Sequence, residues 1–182
     1  MADPEGLSMN HATDAYIGEV IARYPMRGRI LEIGSRDICG SARHWFTAGP
    51  EGERYEHWHP TERFPEYIGI DLIAGNAVDL VMDSHRLDFP DEHFDVVLST
   101  SQMEHDSDPF QTMREVVRVM KHGAYFIFTA PSWRGEIPHD VHDYWRFMVE
   151  GVKELFHRAP LELLEIVESE PTNDIMAVGR KV

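Results

Sequence analysis

Cysteine is almost absent from this chain. Cys39 stands alone, so no internal disulfide can form, and a reducing cytoplasm is the expected compartment. Cys39 itself reads as a small packing residue rather than a nucleophile. Long apolar runs are missing as well. None approaches the ~18 residues of a membrane-spanning helix, so no membrane association is expected. The N-terminus has no basic stretch followed by an apolar one, so no signal peptide is expected either. Positive charge is scarce: 17 Lys and Arg face 32 Asp and Glu, for a net charge of −15, and no Lys/Arg run occurs. Nucleic-acid phosphates demand a basic footprint, so no nucleic-acid partner is expected. There is no Gly-x-Gly-x-x-Gly turn, and Tyr144 has no lysine four residues on. A nicotinamide-dependent hydride transfer therefore lacks both its phosphate turn and its Tyr/Lys pair.

What remains is a chain of 182 residues, 42% hydrophobic and mixed in charge, long enough for one soluble domain with a real core. Residues 1–10 are polar and without period, and read as a loose tail before a single domain over 11–182. Ile17, Val20, Ile21 and Tyr24 recur at helical spacing until Pro25. Strands are expected over Arg29–Gly34, Tyr67–Leu72, Val78–Met82, Phe94–Ser99 and Ala124–Thr129. A helix is expected over Pro109–Lys121, capped by Asp108 and stopped by Gly123. Another helix falls over Val149–Phe156. Two last strands, Leu161–Glu168 and Ile175–Arg180, are joined by a turn containing Asn173 and Asp174. The first, fourth and fifth strands are near-continuous apolar runs, as strands buried on both faces must be. The order predicts an α/β, doubly wound, seven-stranded and mostly parallel sheet, with an antiparallel hairpin at one edge. Between Gly40 and Glu66 only Ser41–Phe46 looks helical, and the rest reads as a long loop.

In such sheets ligands bind beyond the C-terminal ends of the strands, where strand order reverses. The first strand carries Glu32 and breaks at Gly34, which lets the backbone turn tightly. An acid in that place suits an amine or ribose better than a phosphate. It points to a nucleoside-like cofactor bearing positive charge, and S-adenosylmethionine (SAM) fits. Asp71 ends the second strand, where an acid can accept both ribose hydroxyls. Asp83 and Ser84 end the third, where an acid can accept the adenine amine. Ser99, then Glu104 and His105, follow from the fourth.

These stretches resemble a class I SAM-dependent methyltransferase of the small methyltransferase type 11 kind. The carrying residues are Leu31-Glu32-Ile33-Gly34-Ser35, Tyr67-Ile68-Gly69-Ile70-Asp71, Asp83-Ser84, Leu87-Asp88-Phe89-Pro90-Asp91, Phe94-Asp95-Val96-Val97-Leu98-Ser99, Glu104-His105 and Val119-Met120-Lys121-His122-Gly123. The likeness covers residues 12–182. It implies a methyltransferase fold and SAM as cofactor. Glu32 and Gly34 would line its methionine part, with Ser35 and Arg36 in the same turn. Asp71 would hold the ribose and Leu72 the adenine face. Asp83 would meet the adenine amine beside Ser84, and Ser99 would stand near the methionine end. Arg36 replaces the second glycine of the usual Gly-x-Gly-x-Gly. It could pair with Asp37, Glu32 or the cofactor carboxylate.

A second cluster is His139-Asp140-Val141-His142-Asp143-Tyr144-Trp145-Arg146-Phe147. Similar segments occur in this type of methyltransferase, often beside small-molecule biosynthesis. A hydroxyl nucleophile gains from a general base, and a histidine titrates near neutral pH. His105, His139 and His142 are the candidate bases, and Asp143 the candidate that orients one of them. Packing onto the sheet is the competing role for Tyr144, Trp145 and Phe147. No metal is expected, although Glu104, His105, His139, Asp140, His142 and Asp143 are ligand types, as are His57 and His59. The expected activity is methyl transfer from SAM to a small-molecule acceptor, oxygen first and nitrogen second. The alternative is a SAM- or nucleoside-binding or scaffold protein with a degenerate first motif. With no large insert between the fourth and fifth strands, the site is either open or closed by a second subunit in a homodimer.

Overall fold

Strands whose residues are apolar at consecutive positions need cover on both faces, and the chain supplies it from two sides. The computed structural model describes residues 11–36, 42–47, 60–135, 142–170 and 172–182. In chain order they form α1 (His11–Arg23), β1 (Arg29–Ile33), α2 (Arg43–Thr47), α3 (Pro60–Arg63), β2 (Glu66–Asp71), β3 (Leu80–Val81) and β4 (Phe94–Thr100). A 3-10 turn (Met103–His105), α4 (Pro109–Val119), β5 (Met120–Pro131), α5 (Val149–Arg158), β6 (Leu161–Glu168) and β7 (Asp174–Lys181) follow. The sheet order is β3-β2-β1-β4-β5-β7-β6. The first five strands pair in parallel, and β7 runs antiparallel between β5 and β6. The expected α/β, mostly parallel, seven-stranded architecture is the one observed, with β6 as its edge.

Alternate residues of each central strand enter different cores. Ile30, Val96, Leu98 and Ile127 pack with Ile17, Val20 and Ile21 of α1 and with Trp45 and Phe46 of α2. Leu31, Ile33, Val97, Phe126 and Phe128 pack with Met113 and Val116 of α4 and with Val152 and Phe156 of α5. Close approach of α2 to α1 depends on Gly18: a Cβ there would lie 2.3 Å from the Trp45 ring. The indole of Trp45 also donates to Asp14 at 2.8 Å.

Three expectations give way to tertiary contacts. The helix beginning at Pro109 ends at Val119, not Lys121, and Gly123 lies inside β5 rather than stopping the helix. Met120 completes the apolar stripe of the helix, but its backbone is extended and it pairs with Phe94. A register shift between Phe94 and Val96 absorbs the extra residues of β5. The third strand shrinks to Leu80–Val81, because Asp79 folds back so that its backbone N–H donates to Gly69 O and its carboxylate accepts Gly69 N–H, both at 2.8 Å. The long loop before Glu66 contains α3. Its Arg63 donates to the carbonyls of Ile21 and Tyr24 at 2.7 Å, and to that of Met26, occupying acceptors at the C-terminal end of α1.

Strand order reverses between β1 and β4, which run side by side while their connections leave in opposite directions. The turns after β1, β2 and β4 therefore meet over one crevice.

Candidate functional site

The turn after β1 is clamped from two sides. Gly34 has φ +77, and its N–H and that of Ser35 both donate to Ile70 O, at 2.9 and 3.0 Å. A Cβ on Gly34 would lie 2.6 Å from Gln102 Cβ, so only glycine lets the turn after β4 come this close. Glu32 is 1% exposed, and both of its oxygens are used. Oε1 accepts from Thr100 Oγ1 at 3.0 Å, and Oε2 accepts from the Tyr67 hydroxyl. The acid of the first motif is thus held by the neighbouring strands on either side. Ser35 is buried with its hydroxyl unpartnered among the described residues. The side chain of Arg36 runs beside Gly75, in the loop after Asp71. Asp37 and Cys39 lie outside the described residues.

The end of β2 combines an acid with exposed apolar side chains. Asp71 Oδ1 accepts from Ile73 N at 2.9 Å, and Leu72 and Ile73 are 67% and 56% exposed. Asp83 Oδ1 accepts from His85 N at 2.8 Å. Ser84 is buried, and its hydroxyl donates to Thr112 Oγ1 at 3.0 Å, since the single proton of Thr112 goes to Asp106. The loop carrying Asp83 is pinned to α4 by Arg118. Its guanidinium donates to Leu87 O at 2.7 Å, and to Phe89 O and Asp91 at 2.8 Å. Glu115 accepts from Leu87 N at 2.8 Å, and the Arg118 hydrogen bond holds its pKa below the usual carboxylate value.

The turn after β4 faces the segment 142–147. Ser99 is fully buried, its hydroxyl donating to Gln102 Oε1 at 3.3 Å. His105 Nδ1 lies 3.0 Å from the carbonyl of His142. A carbonyl only accepts, so Nδ1 carries the proton, and Nε2 of the neutral ring is the basic nitrogen. Asp143 Oδ1 is 2.8 Å from the same Nδ1 but off the N–H direction, so it acts on the ring by charge while the hydrogen bond goes to His142. Arg146 donates to Asp143 Oδ2 and holds that carboxylate in place. The His142 ring is 6.3 Å from that of Tyr144, and only its carbonyl meets His105. His139 and Asp140, like His57 and His59, lie outside the described residues.

Glu104, behind His105, is the most perturbed acid of the site. It is 3% exposed, and Oε2 has no partner among the described residues. Oε1 lies 3.7 Å from His105 Nε2. Burial pushes its pKa up to about 8. A hydrogen bond from its own backbone and the charge of Arg146 oppose the rise, while the charges of Asp143 and Asp174 add to it. Among the described residues, no group of three or more His, Cys, Asp or Glu side chains is arranged to hold a metal ion.

The set fits a nucleoside with a positively charged amino-acid tail. Asp71 keeps one oxygen free of hydrogen bonds to described residues, next to the exposed apolar faces of Leu72 and Ile73. A ribose and an adenine need that pairing. Gly34 makes the tight turn after β1, Glu32 is buried within that strand, and the orphaned Ser35 hydroxyl lies beside Gly69 of β2. Sequence reasoning missed four supporting groups: Tyr67 and Thr100 on Glu32, Gln102 against Gly34, and Arg118 beneath the Asp83 loop. Each partner is at least 27 residues away from the group it supports, so no local pattern could have revealed it.

Residues 49–128 match the model of a methyltransferase domain family. No curated protein matches the chain in sequence. Solved structures share the fold. A methyltransferase-like protein from Bacillus halodurans is 14% identical, with a TM-score of 0.65, covering 93% of this chain and 99% of that one. The 1,6-didemethyltoxoflavin-N1-methyltransferase of Burkholderia thailandensis, solved with its substrate and S-adenosylhomocysteine, is 13% identical with a TM-score of 0.66, covering 98% and 80%. The cyclase SpnF is 16% identical with a TM-score of 0.66, covering 98% and 84%. At these identities the structures establish the fold alone. Among the described residues, no helix is long and apolar enough to cross a membrane.

Proposed function

We propose, from the premise that this chain carries a methyltransferase domain of the class I, SAM-dependent kind, that it methylates a small-molecule acceptor at oxygen, or else at nitrogen. The observation that carries the acceptor chemistry is His105, whose Nδ1 is anchored on the His142 carbonyl so that Nε2 is left basic at the end of β4. Bound SAM would supply an electrophilic methyl group to the acceptor atom, with its sulfur as the leaving group. His105 Nε2 takes the proton of the acceptor hydroxyl. Asp143, fixed by Arg146, steadies the imidazolium that results. Asp71 receives the ribose, Leu72 the adenine face and Asp83 the adenine amine. Glu32, Gly34 and Ser35 border the methionine end, with Arg36 reaching over the Gly75 loop toward the ribose side. Ser84 and Ser99 act from beneath, since their hydroxyls are spent on Thr112 and Gln102.

The charge of −15 favours a neutral or cationic small molecule over a nucleic acid as acceptor. The toxoflavin enzyme, a structural neighbour, acts on a small molecule. A single domain over 11–182, working in the cytoplasm with its site either open or closed by a second subunit, completes the reading. A second reading, binding without methyl transfer, draws on Arg36 in the glycine position and on a neighbour named as a cyclase. Calorimetry with SAM and with S-adenosylhomocysteine, followed by an acceptor panel scored for S-adenosylhomocysteine release, separates the two. Heat with both ligands and release with a hydroxyl or amine acceptor is the expected result. Heat without release across the panel supports the second reading. No heat with either ligand overturns the enzyme reading and favours a scaffold with a degenerate first motif.

A further inference from the structure

Asp106 follows the 3-10 turn and has a side chain only 1% exposed, yet four segments meet on it. Its Oδ1 lies 2.6 Å from His85 Nε2 and accepts from Asp108 N at 2.8 Å. Oδ2 accepts from the Thr112 hydroxyl at 2.5 Å. Its main-chain carbonyl accepts from the indole Nε1 of Trp145 at 2.7 Å. A carboxylate this deeply buried is tolerated only when its lone pairs are filled, so moving one partner disturbs the others.

Two of those partners belong to opposite sides of the crevice. His85 is on the loop of Asp83: its N–H donates to Asp83 Oδ1, and its carbonyl accepts from Gln111 Nε2 at 2.9 Å. Trp145 is on the segment that anchors His105. The amides of Tyr144 and Trp145 donate to Glu104 O at 2.7 and 3.2 Å. The charged groups facing His85 are Asp83 on its own loop, 3.6 Å from Nδ1, Asp106 after the 3-10 turn, and Asp108 at the N-cap of α4. Burial works against the charged ring, but the hydrogen bond and charge of Asp106, with Asp83 and Asp108 behind it, hold its pKa above the ordinary 6.5.

We infer that His85 is a positioning residue: by clamping Asp106 it couples the loop that meets adenine to the Tyr144–Trp145 segment, so that engagement of the cofactor orders the acceptor side. The inference rests on the methyltransferase reading, since it takes Asp83 to lie against adenine. A ligand that fixes the Asp83 loop fixes His85, hence Asp106, hence the indole of Trp145. The two amides given to Glu104 then open less often. His85→Phe keeps a ring of similar size and removes the nitrogen that clamps Asp106.

Hydrogen exchange of the Tyr144 and Trp145 amides, with and without saturating S-adenosylhomocysteine, reads the coupling directly. In the wild type the ligand should slow both amides about fivefold, the lower end of ordinary site-to-site coupling. In saturated His85→Phe it should slow them little. Trp145→Phe, which removes the indole donor and keeps an aromatic ring, should lose the same effect, and serves if the first variant does not fold. Calorimetric binding with unchanged exchange in the wild type, or with equal slowing in the variants, overturns this inference alone. Absence of any binding heat overturns the methyltransferase reading and this inference with it.

Discussion

Replacing Glu104 by glutamine should make the protein more stable at alkaline pH. The carboxyl is buried, its Oε2 is unpartnered, and its pKa is carried from the ordinary 4.5 to about 8, chiefly by burial. Below pH 4.5 both the folded and the unfolded chain hold this proton. Between 4.5 and about 8 the unfolded chain releases it while the folded chain keeps it, so stability falls as pH rises. At about 1.4 kcal/mol per pH unit, that window costs the fold at most roughly 5 kcal/mol. Relaxation and water entry reduce such penalties, but half of it would still shift Tm by about 5–10 °C for a chain of this size. Glutamine matches the shape of the protonated acid and has no proton to lose. Urea or thermal unfolding at pH 5, 7 and 9 should therefore give nearly matching stabilities at pH 5. The gap in favour of Glu104→Gln should widen up to pH 9. Parallel curves for the two proteins would refute the assignment of a proton-holding Glu104.

Asp71→Ala should weaken S-adenosylhomocysteine binding by about 1.5–3 kcal/mol through loss of charge-assisted hydrogen bonds. Calorimetry checks this, and unchanged affinity would remove Asp71 from the ribose. His105→Ala should lower kcat far more than it lowers cofactor affinity, because the ring is 32% exposed and its side chain serves the acceptor. Equal losses in kcat, affinity and Tm would mark it as a packing residue. Gly34→Ala should cost at least about 1–2 kcal/mol from the positive φ alone. The 2.6 Å approach to Gln102 Cβ adds to that cost, and urea unfolding measures the total.

Much of the scaffold is readable along the chain. Strands β1, β4 and β5 announce themselves because burial on both faces requires runs such as Ile30-Leu31 and Phe126-Ile127-Phe128. Asp71 ends β2 where strand spacing put it, and Asp83 lies two residues beyond β3. Errors gathered where a residue satisfies two patterns at once. Met120 continues the helical stripe of α4, yet Phe94 claims it for the sheet. Arg63 looks like an ordinary loop charge, and only the fold shows that it donates to the Ile21 and Tyr24 carbonyls at the end of α1.

The order of apolar runs, turns and strand-end acids is sufficient to specify a parallel sheet and the edge where ligands gather. Each of these features follows from local backbone preference and the need to bury apolar faces. The partnerships inside the site are of another kind. Glu32 with Tyr67 and Thr100, His105 with His142 and Asp143, and Asp106 with His85 and Trp145 join residues between 21 and 68 positions apart. Folding alone brings them together, because hydrogen bonds and charges act over a few ångströms and leave no periodicity in the chain. Burial behaves in the same way: the residue type of Glu104 makes it an acid, and only the packing around it decides that it keeps its proton near neutral pH.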